Sequence, residues 1–165
     1  MSRKLTLHAK DPSTLVLSGL DDFLCSLLRE VPESGFAHPD ADARLFPSPT
    51  AGRDPEADQE WREFVRPDLE EQFAWNRNRV ADDLLSLRFE AHRGAALDIP
   101  MENLPAWIHA LNQARLCLSA QFKLGDEEGE EEGSDAHPAP EGVAVFQMQF
   151  YGLLQEWFLA ASDTL

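Results

Sequence analysis

Cysteine is scarce in this chain. Cys25 and Cys117 are the only two in 165 residues, with no CxxC pair and no metal-type spacing. That excludes a disulfide-stapled secreted scaffold and a zinc knuckle, and it fits a reducing compartment. A bridge between the two is left open by sequence. Long apolar runs are also missing: no uninterrupted window approaches the roughly 18 residues a membrane span needs. The opening residues, MSRKLTLHAKD, alternate charge and apolar side chains and lack a signal-type run, so a cytoplasmic location is the expectation. Positive charge is short as well. Fourteen Lys and Arg face thirty Asp and Glu, a net of −16. Such a field opposes nucleic acid and anionic membrane, whose affinity comes largely from Lys and Arg displacing counterions.

Catalytic signatures are equally thin. There is no GxGxxG, no GxxxxGK[ST], no HExxH and no GxSxG. The five histidines, His8, His38, His92, His109 and His137, never share one helical face at ligand spacing. Neither cysteine sits at a helix N-terminus that would depress its pKa. No catalytic residue, cofactor or metal is therefore expected, and the chain reads as a non-enzyme.

What remains is material for one packed domain over 1–165: 43% apolar residues, with ten Phe and four Trp. The expected fold is mainly α, a helical bundle with a short N-terminal β-hairpin. Leu5, Leu7 and Ala9 alternate with polar residues, Asp11-Pro12-Ser13 is turn chemistry, and Thr14–Leu17 resumes a strand. Ser18 and Asp21 resemble a capping box for a helix whose inward stripe is Leu20, Phe23, Leu24, Leu27, Leu28 and Val31, ended by Pro32. Residues 32–54 read as a proline-rich loop anchored by Leu45 and Phe46. Asp54-Pro55 opens a short helix with Trp61, Phe64 and Val65 inward, closed by Pro67. Asp68 and Glu71 would cap a long helix to about Phe89, apolar on two sides and so expected to run through the middle. Gly94 and Asp98–Pro100 read as a turn.

The segment Leu104–Leu124 is the expected centre of the core, with Leu104, Trp107, Ile108, Leu111, Ala114, Leu118 and Phe122 on one face, Pro105 in its first turn and Gly125 as its stop. Arg115 interrupts that face. A guanidinium among apolar side chains needs acceptors. Asp83, at the edge of the preceding helix's apolar face, is the expected partner, with Asn76 and Asn112 as further candidates. A structural ion pair is the main reading; an anion receptor is the alternative. Residues 126–135 carry seven acids among glycines and read as a mobile, self-repelling loop, without the ligand alternation of a Ca²⁺ site. A closing helix, about 143–161, gathers Phe146, Phe150, Leu153, Leu154, Trp157 and Phe158.

ARLFP (Ala43 to Pro47), WREFVRPDLEEQF and AWIHALNQARLCLSAQF resemble the bacterial domain-of-unknown-function family numbered 2017. Arg44, Leu45, Phe46 and Pro47 carry the likeness, with Trp107, Ala110, Leu111, Asn112, Arg115 and Leu116. The resemblance covers nearly the whole chain, with short motifs, and the Glu-rich stretch departs from the usual shorter connection. It implies a gene often beside the adaptor of an ATP-dependent protease, and no catalytic residue set. Some members carry a transcriptional-regulator label.

The expected function is a cytosolic protein-interaction module, regulatory or adaptor-like, with a protein partner or a homodimer. Met148, Leu159 and Leu116 are expected to form its uncovered apolar patch. A DNA-contacting regulator and an enzyme of unknown class are the alternatives. The only region suited to nucleic acid is Trp75–Arg93, with Arg77, Arg79, Arg88 and Arg93.

Overall fold

Alternating side chains in the first twenty residues make two strands, β1 (Thr6–Asp11) and β2 (Thr14–Leu20), paired antiparallel with Leu7 opposite Leu17 and Ala9 opposite Leu15. The Asp11 carboxylate accepts from the Ser13 N–H and hydroxyl at 2.8 Å each and sets the turn. The computed structural model describes residues 3–33, 39–123 and 139–164. The acidic stretch 126–135 and the expected helix stop at Gly125 lie outside them.

Gly94–Pro100 does not form the expected turn. It is a strand, β4. β4 pairs with β2 (Leu15 opposite Ile99, Leu17 opposite Leu97) and with the short β3 (Arg88–Glu90), giving a four-stranded antiparallel sheet in the order β1-β2-β4-β3. Ala95, Leu97 and Ile99 are buried toward the helices and Ala96 is buried on the other side. Ala96 is small and flanked by Ser18 and Arg88 on the neighbouring strands, so the outward face of β4 is apolar here too and the clean alternation is lost.

Gly19 sits in a bulge between Ser18 and Leu20 with φ of 81°. This bulge, not a Ser18 cap, delivers the chain to helix α1 (Asp22–Glu30). Asp21 is its N-cap, accepting from the Leu24 N–H at 2.8 Å.

The loop expected over 32–54 contains helix α2 (Pro39–Leu45). Ala41 and Leu45 pack with Cys117 and Ala120 in a small second core, and Phe46 stacks on Phe73 with centroids 5.3 Å apart. Arg66 lies 4.4 Å over the Phe46 ring and pairs with Asp42 and Glu70.

Asp54 caps helix α3 (Pro55–Phe64) through the Ala57 N–H, as its sequence predicts. Phe64 and Val65 are exposed rather than inward. Pro67 does not close α3; it lies in the first turn of α4 (Arg66–Leu84), where a missing N–H costs little. The Asp68/Glu71 box is not used, and no side chain caps α4. Its second apolar stripe is also bare, with Leu85 86% exposed just past the helix end and Trp75 52%.

The helix covered on nearly every side is α5 (Leu104–Phe122), between α4, α2 and α6 (Ala139–Ser162). Lys123 closes α5 with φ of 53°. Trp107, Leu111, Tyr151, Leu154 and Phe158 are fully buried and join Leu17, Leu97 and Ile99 in one core. Cys25 and Cys117 are both free thiols buried in these packings, and burial pushes both above the usual thiol range, the opposite of a reactive thiolate.

Close burial on α5 leaves Gln113 with neither amide atom hydrogen-bonded among the described residues. Gln113→Met is expected to raise stability by about 1 kcal/mol, because it removes two desolvated, unmatched polar atoms at similar volume. A urea midpoint shifted upward with an unchanged slope is the readout.

Candidate functional site

Asp83 and Arg115 do not meet. Arg115 and Trp107 are eight residues apart on α5, about 12 Å along the axis, and Asp83 serves the Trp107 end. Its carboxylate accepts from Trp107 Nε1 at 2.9 Å and from Asn103 Nδ2 at 3.0 and 3.1 Å. Asn103 heads α5 and spends its side chain on Asp83 instead of capping the helix. Sequence reading missed Asn103; a polar residue one position before Leu104 was the available signal.

The Arg115 guanidinium donates through Nη1 to Gln155 Oε1 at 2.7 Å, and Gln155 Nε2 donates to the Ile108 carbonyl at 3.1 Å. Gly152 makes room for it: a Cβ there would stand 3.5 Å from Arg115 Cζ. The neutral Gln155 amide thus bridges the guanidinium of α5 and a carbonyl of the same helix, and it fixes the register of α5 on α6 with no ion pair to Arg115 among the described residues. Asn112 is exposed and Asn76 is buried on α4, and neither supplies Arg115 with an acceptor.

Desolvation raises the Asp83 pKa above its ordinary value of 3.8, against the pull of the Trp107 and Asn103 hydrogen bonds. A carboxyl raised by folding contributes stability below pH 3.8 that is lost as pH rises through the folded value. Asp83→Asn is expected to flatten this part of the stability profile, since the amide stays neutral and Asn103 can turn to match it. Urea midpoints measured between pH 4 and 7 check the slope.

A second buried network fixes α1 on α6. The Tyr151 hydroxyl donates to the Leu27 carbonyl and accepts from Gln147 Nε2 at 2.7 Å; the same Gln147 nitrogen reaches Glu30 Oε2 at 2.7 Å. Burial raises the Tyr151 pKa far above its ordinary value, so the phenol stays protonated. This clamp sets Phe23 of α1 beside Phe146 of α6, ring centroids 5.6 Å apart.

Phe23 and Phe146 head an apolar face. At 100° per residue, Val143, Phe146, Phe150, Leu153 and Trp157 share one arc of α6. Phe150 is buried beneath it, while Phe23, Val143, Phe146 and Leu153 are 46%, 43%, 44% and 38% exposed. The expected patch of Met148, Leu116 and Leu159 is not formed. Met148 packs on the main core and Leu116 on the α2 cluster; Leu159 is exposed, but on a different arc. The sequence placed Phe146 and Phe23 inward because helical spacing marks an apolar arc without saying how much of it a neighbour covers.

The arginines of Trp75–Arg93 are separated by the fold. Arg79 lies 4.9 Å over the Trp75 ring on α4. Arg88 and Arg93 belong to the β3–β4 hairpin, where they share a concavity of about 450 Å³ with Arg3, Lys4 and Lys10 on the sheet's outer face. No group of three or more His, Cys, Asp or Glu able to hold a metal occurs among the described residues. No helix among them is long and apolar enough to cross a membrane.

The chain matches no curated protein and no solved structure. A family model does match, over residues 4–162, which takes in every strand and helix described above. The protein belongs to the family described as Domain of unknown function (DUF2017).

Proposed function

We propose that the protein is a non-enzymatic, cytoplasmic interaction module, regulatory or adaptor-like, that docks an amphipathic helix of a protein partner on its α1–α6 face. The observation that carries this reading is the exposed row of Phe23, Val143, Phe146 and Leu153, uncovered by any other element among the described residues and adjoining the Tyr151–Gln147–Glu30 clamp. Exposed apolar rows of this kind, here with a pair of Phe rings in contact, cost solubility and are typical of binding faces. Helix-in-groove recognition uses such a row, read by the partner at i, i+3, i+4 and i+7.

Charge chooses the occupant. Asp21 and Asp22 flank Phe23, Glu156 lies further along α6, and the whole chain carries −16. A second copy would bring two like-charged bodies together. A foreign helix with Lys and Arg beside its apolar stripe gains from the same field.

A photo-crosslinking phenylalanine analogue at position 146, in the native cell, tests the proposal. The expected adduct maps to an amphipathic segment flanked by Lys and Arg in another protein. A peptide of that segment is expected to bind the full chain at least about tenfold more weakly after Phe146→Asp, since burying a carboxylate in an apolar contact costs more than about 1.4 kcal/mol. Adducts only with copies of this chain, no adduct, or an affinity indifferent to Phe146→Asp would overturn it.

A further inference from the structure

A protein with thirty acids against fourteen bases would ordinarily scatter its cations among its carboxylates. Here five of the fourteen converge on one concavity of about 450 Å³: Arg3, Lys4, Lys10, Arg88 and Arg93. Strand register explains how. His8 stands opposite Val16, Val16 opposite Asp98, Ser18 opposite Ala96, and Ala96 opposite Arg88, so these positions share the sheet face turned away from the helices. Lys10 follows His8 by two residues on the same face.

Two carboxylates organise part of the cluster. Asp98 takes Lys10 at 3.2 Å and Arg88 at 2.7 Å, and Glu90 takes Arg88 at 3.4 Å. Arg3, Lys4 and Arg93 have no ion pair among the described residues. Their places are set by backbone. A Cβ at Gly19 would stand 2.2 Å from the Lys4 carbonyl oxygen, and one at Gly94 would stand 3.2 Å from Arg3 Cδ; both glycines have positive φ. The Lys4 backbone therefore lies directly on Gly19 and the Arg3 side chain over Gly94, which brings both residues to the rim of the concavity.

We propose that this outer sheet face binds the phosphate groups of a small, polyphosphate-bearing ligand. The volume falls in the range of small-molecule sites. Three unmatched cations beside Ser18 and His8 supply hydrogen-bond donors and point charges for several phosphate oxygens. A compact anion meets only this patch, whereas a nucleic-acid strand would extend onto the surrounding acidic surface and be repelled. Among the described residues no Phe, Tyr or Trp lines the concavity, and the single imidazole of His8 offers no row of rings of the kind on which successive bases of a strand stack. The site lies on the sheet, apart from the α1–α6 face, and stands or falls independently of it.

Titration calorimetry of the full chain with inorganic triphosphate, and separately with adenosine triphosphate, both metal-free, is the test. Saturable one-to-one binding is expected, weaker at 150 mM than at 50 mM salt. The Lys4→Ala/Arg93→Ala double variant is expected to lose at least about tenfold, about 1.4 kcal/mol, and Arg53→Ala, in the turn before α3 and outside the concavity's lining, less than twofold. Single Lys4→Met and Arg93→Gln variants give the same reading should the double variant fail to fold. Equal affinity for the two ligands assigns recognition to phosphates alone; tighter nucleotide binding adds a nucleoside contact at the Val16 floor. No saturable heat at millimolar concentration of either, equal weakening by Arg53→Ala, or tighter binding of a single-stranded oligonucleotide would each overturn the proposal.

Discussion

Trp107→Ala is expected to lower folding stability by about 3–5 kcal/mol, the range for emptying a buried aromatic site. Trp107 is fully buried, meets Phe158 edge-on at 5.9 Å between centroids, and donates its indole N–H to Asp83. The loss has two separable parts. Trp107→Phe keeps much of the apolar contact but deprives Asp83 of one of its two partner residues, and that alone is expected to cost about 1–3 kcal/mol. Adding Asp83→Asn to Trp107→Phe should recover part of the loss, because an amide at that position is cheaper to leave short of a donor than a carboxylate. A double-mutant cycle by urea denaturation isolates the coupling. A Trp107→Phe loss indistinguishable from zero would mean the Asp83 hydrogen bond carries no net stability.

Gly19→Ala is the second large effect, about 2–5 kcal/mol. The left-handed backbone costs an L-residue about 1–2 kcal/mol, and overpacking typically adds a further 1–3 kcal/mol or so. The clash here is with main chain, the Lys4 carbonyl oxygen at 2.2 Å, which cannot swing aside as a side-chain tip would. Relief requires the segment before β1 to lift off the sheet or the bulge to flatten. Flattening is the costlier escape, since removing one residue of register would turn Leu17 and Leu15 toward water. Amide exchange is expected to accelerate first across the β1–β2 ladder while α5 and α6 stay protected. Uniform acceleration through the α5 amides would instead place Gly19 in the global folding unit. Gly52, also at positive φ but with open space around it, is the control: Gly52→Ala is expected to cost only the conformational part, about 1–2 kcal/mol.

Period and punctuation made much of the fold legible. The β1–β2 hairpin, the Asp54 cap, the closing helix and the central place of Trp107 and Leu111 follow from spacing and turn chemistry alone. β4 was opaque for a physical reason: its outward positions Gly94 and Ala96 are small and apolar, so alternation is lost, and Asp98-Ile99-Pro100 imitates a turn. Helix α2 was hidden in a proline-rich run because its two anchors, Ala41 and Leu45, are a single turn apart and leave no stripe to read.

The sites depended still more on contacts distant in the chain. Sequence singled out Arg115, Asp83, Asn112, Trp107, Leu45 and Phe46, but pairing is a matter of axial position. Asp83 fell to Trp107 and Asn103, Arg115 to Gln155, and Asn112 to solvent. The basic concavity unites Arg3, Lys4 and Lys10 with Arg88 and Arg93; the sequence marked only the last two as basic candidates, and grouped them with Arg77 and Arg79, which the fold places elsewhere.

The amino-acid sequence determined by itself what each segment is: its period, its breaks, its caps and its heavy negative charge. These are local properties, fixed by backbone sterics and side-chain chemistry within a turn or two. Only the tertiary structure decided which apolar arcs are covered and which charges meet. Phe146 stays exposed and Trp107 does not because coverage depends on how many neighbours reach a face, a quantity no single helix or strand encodes.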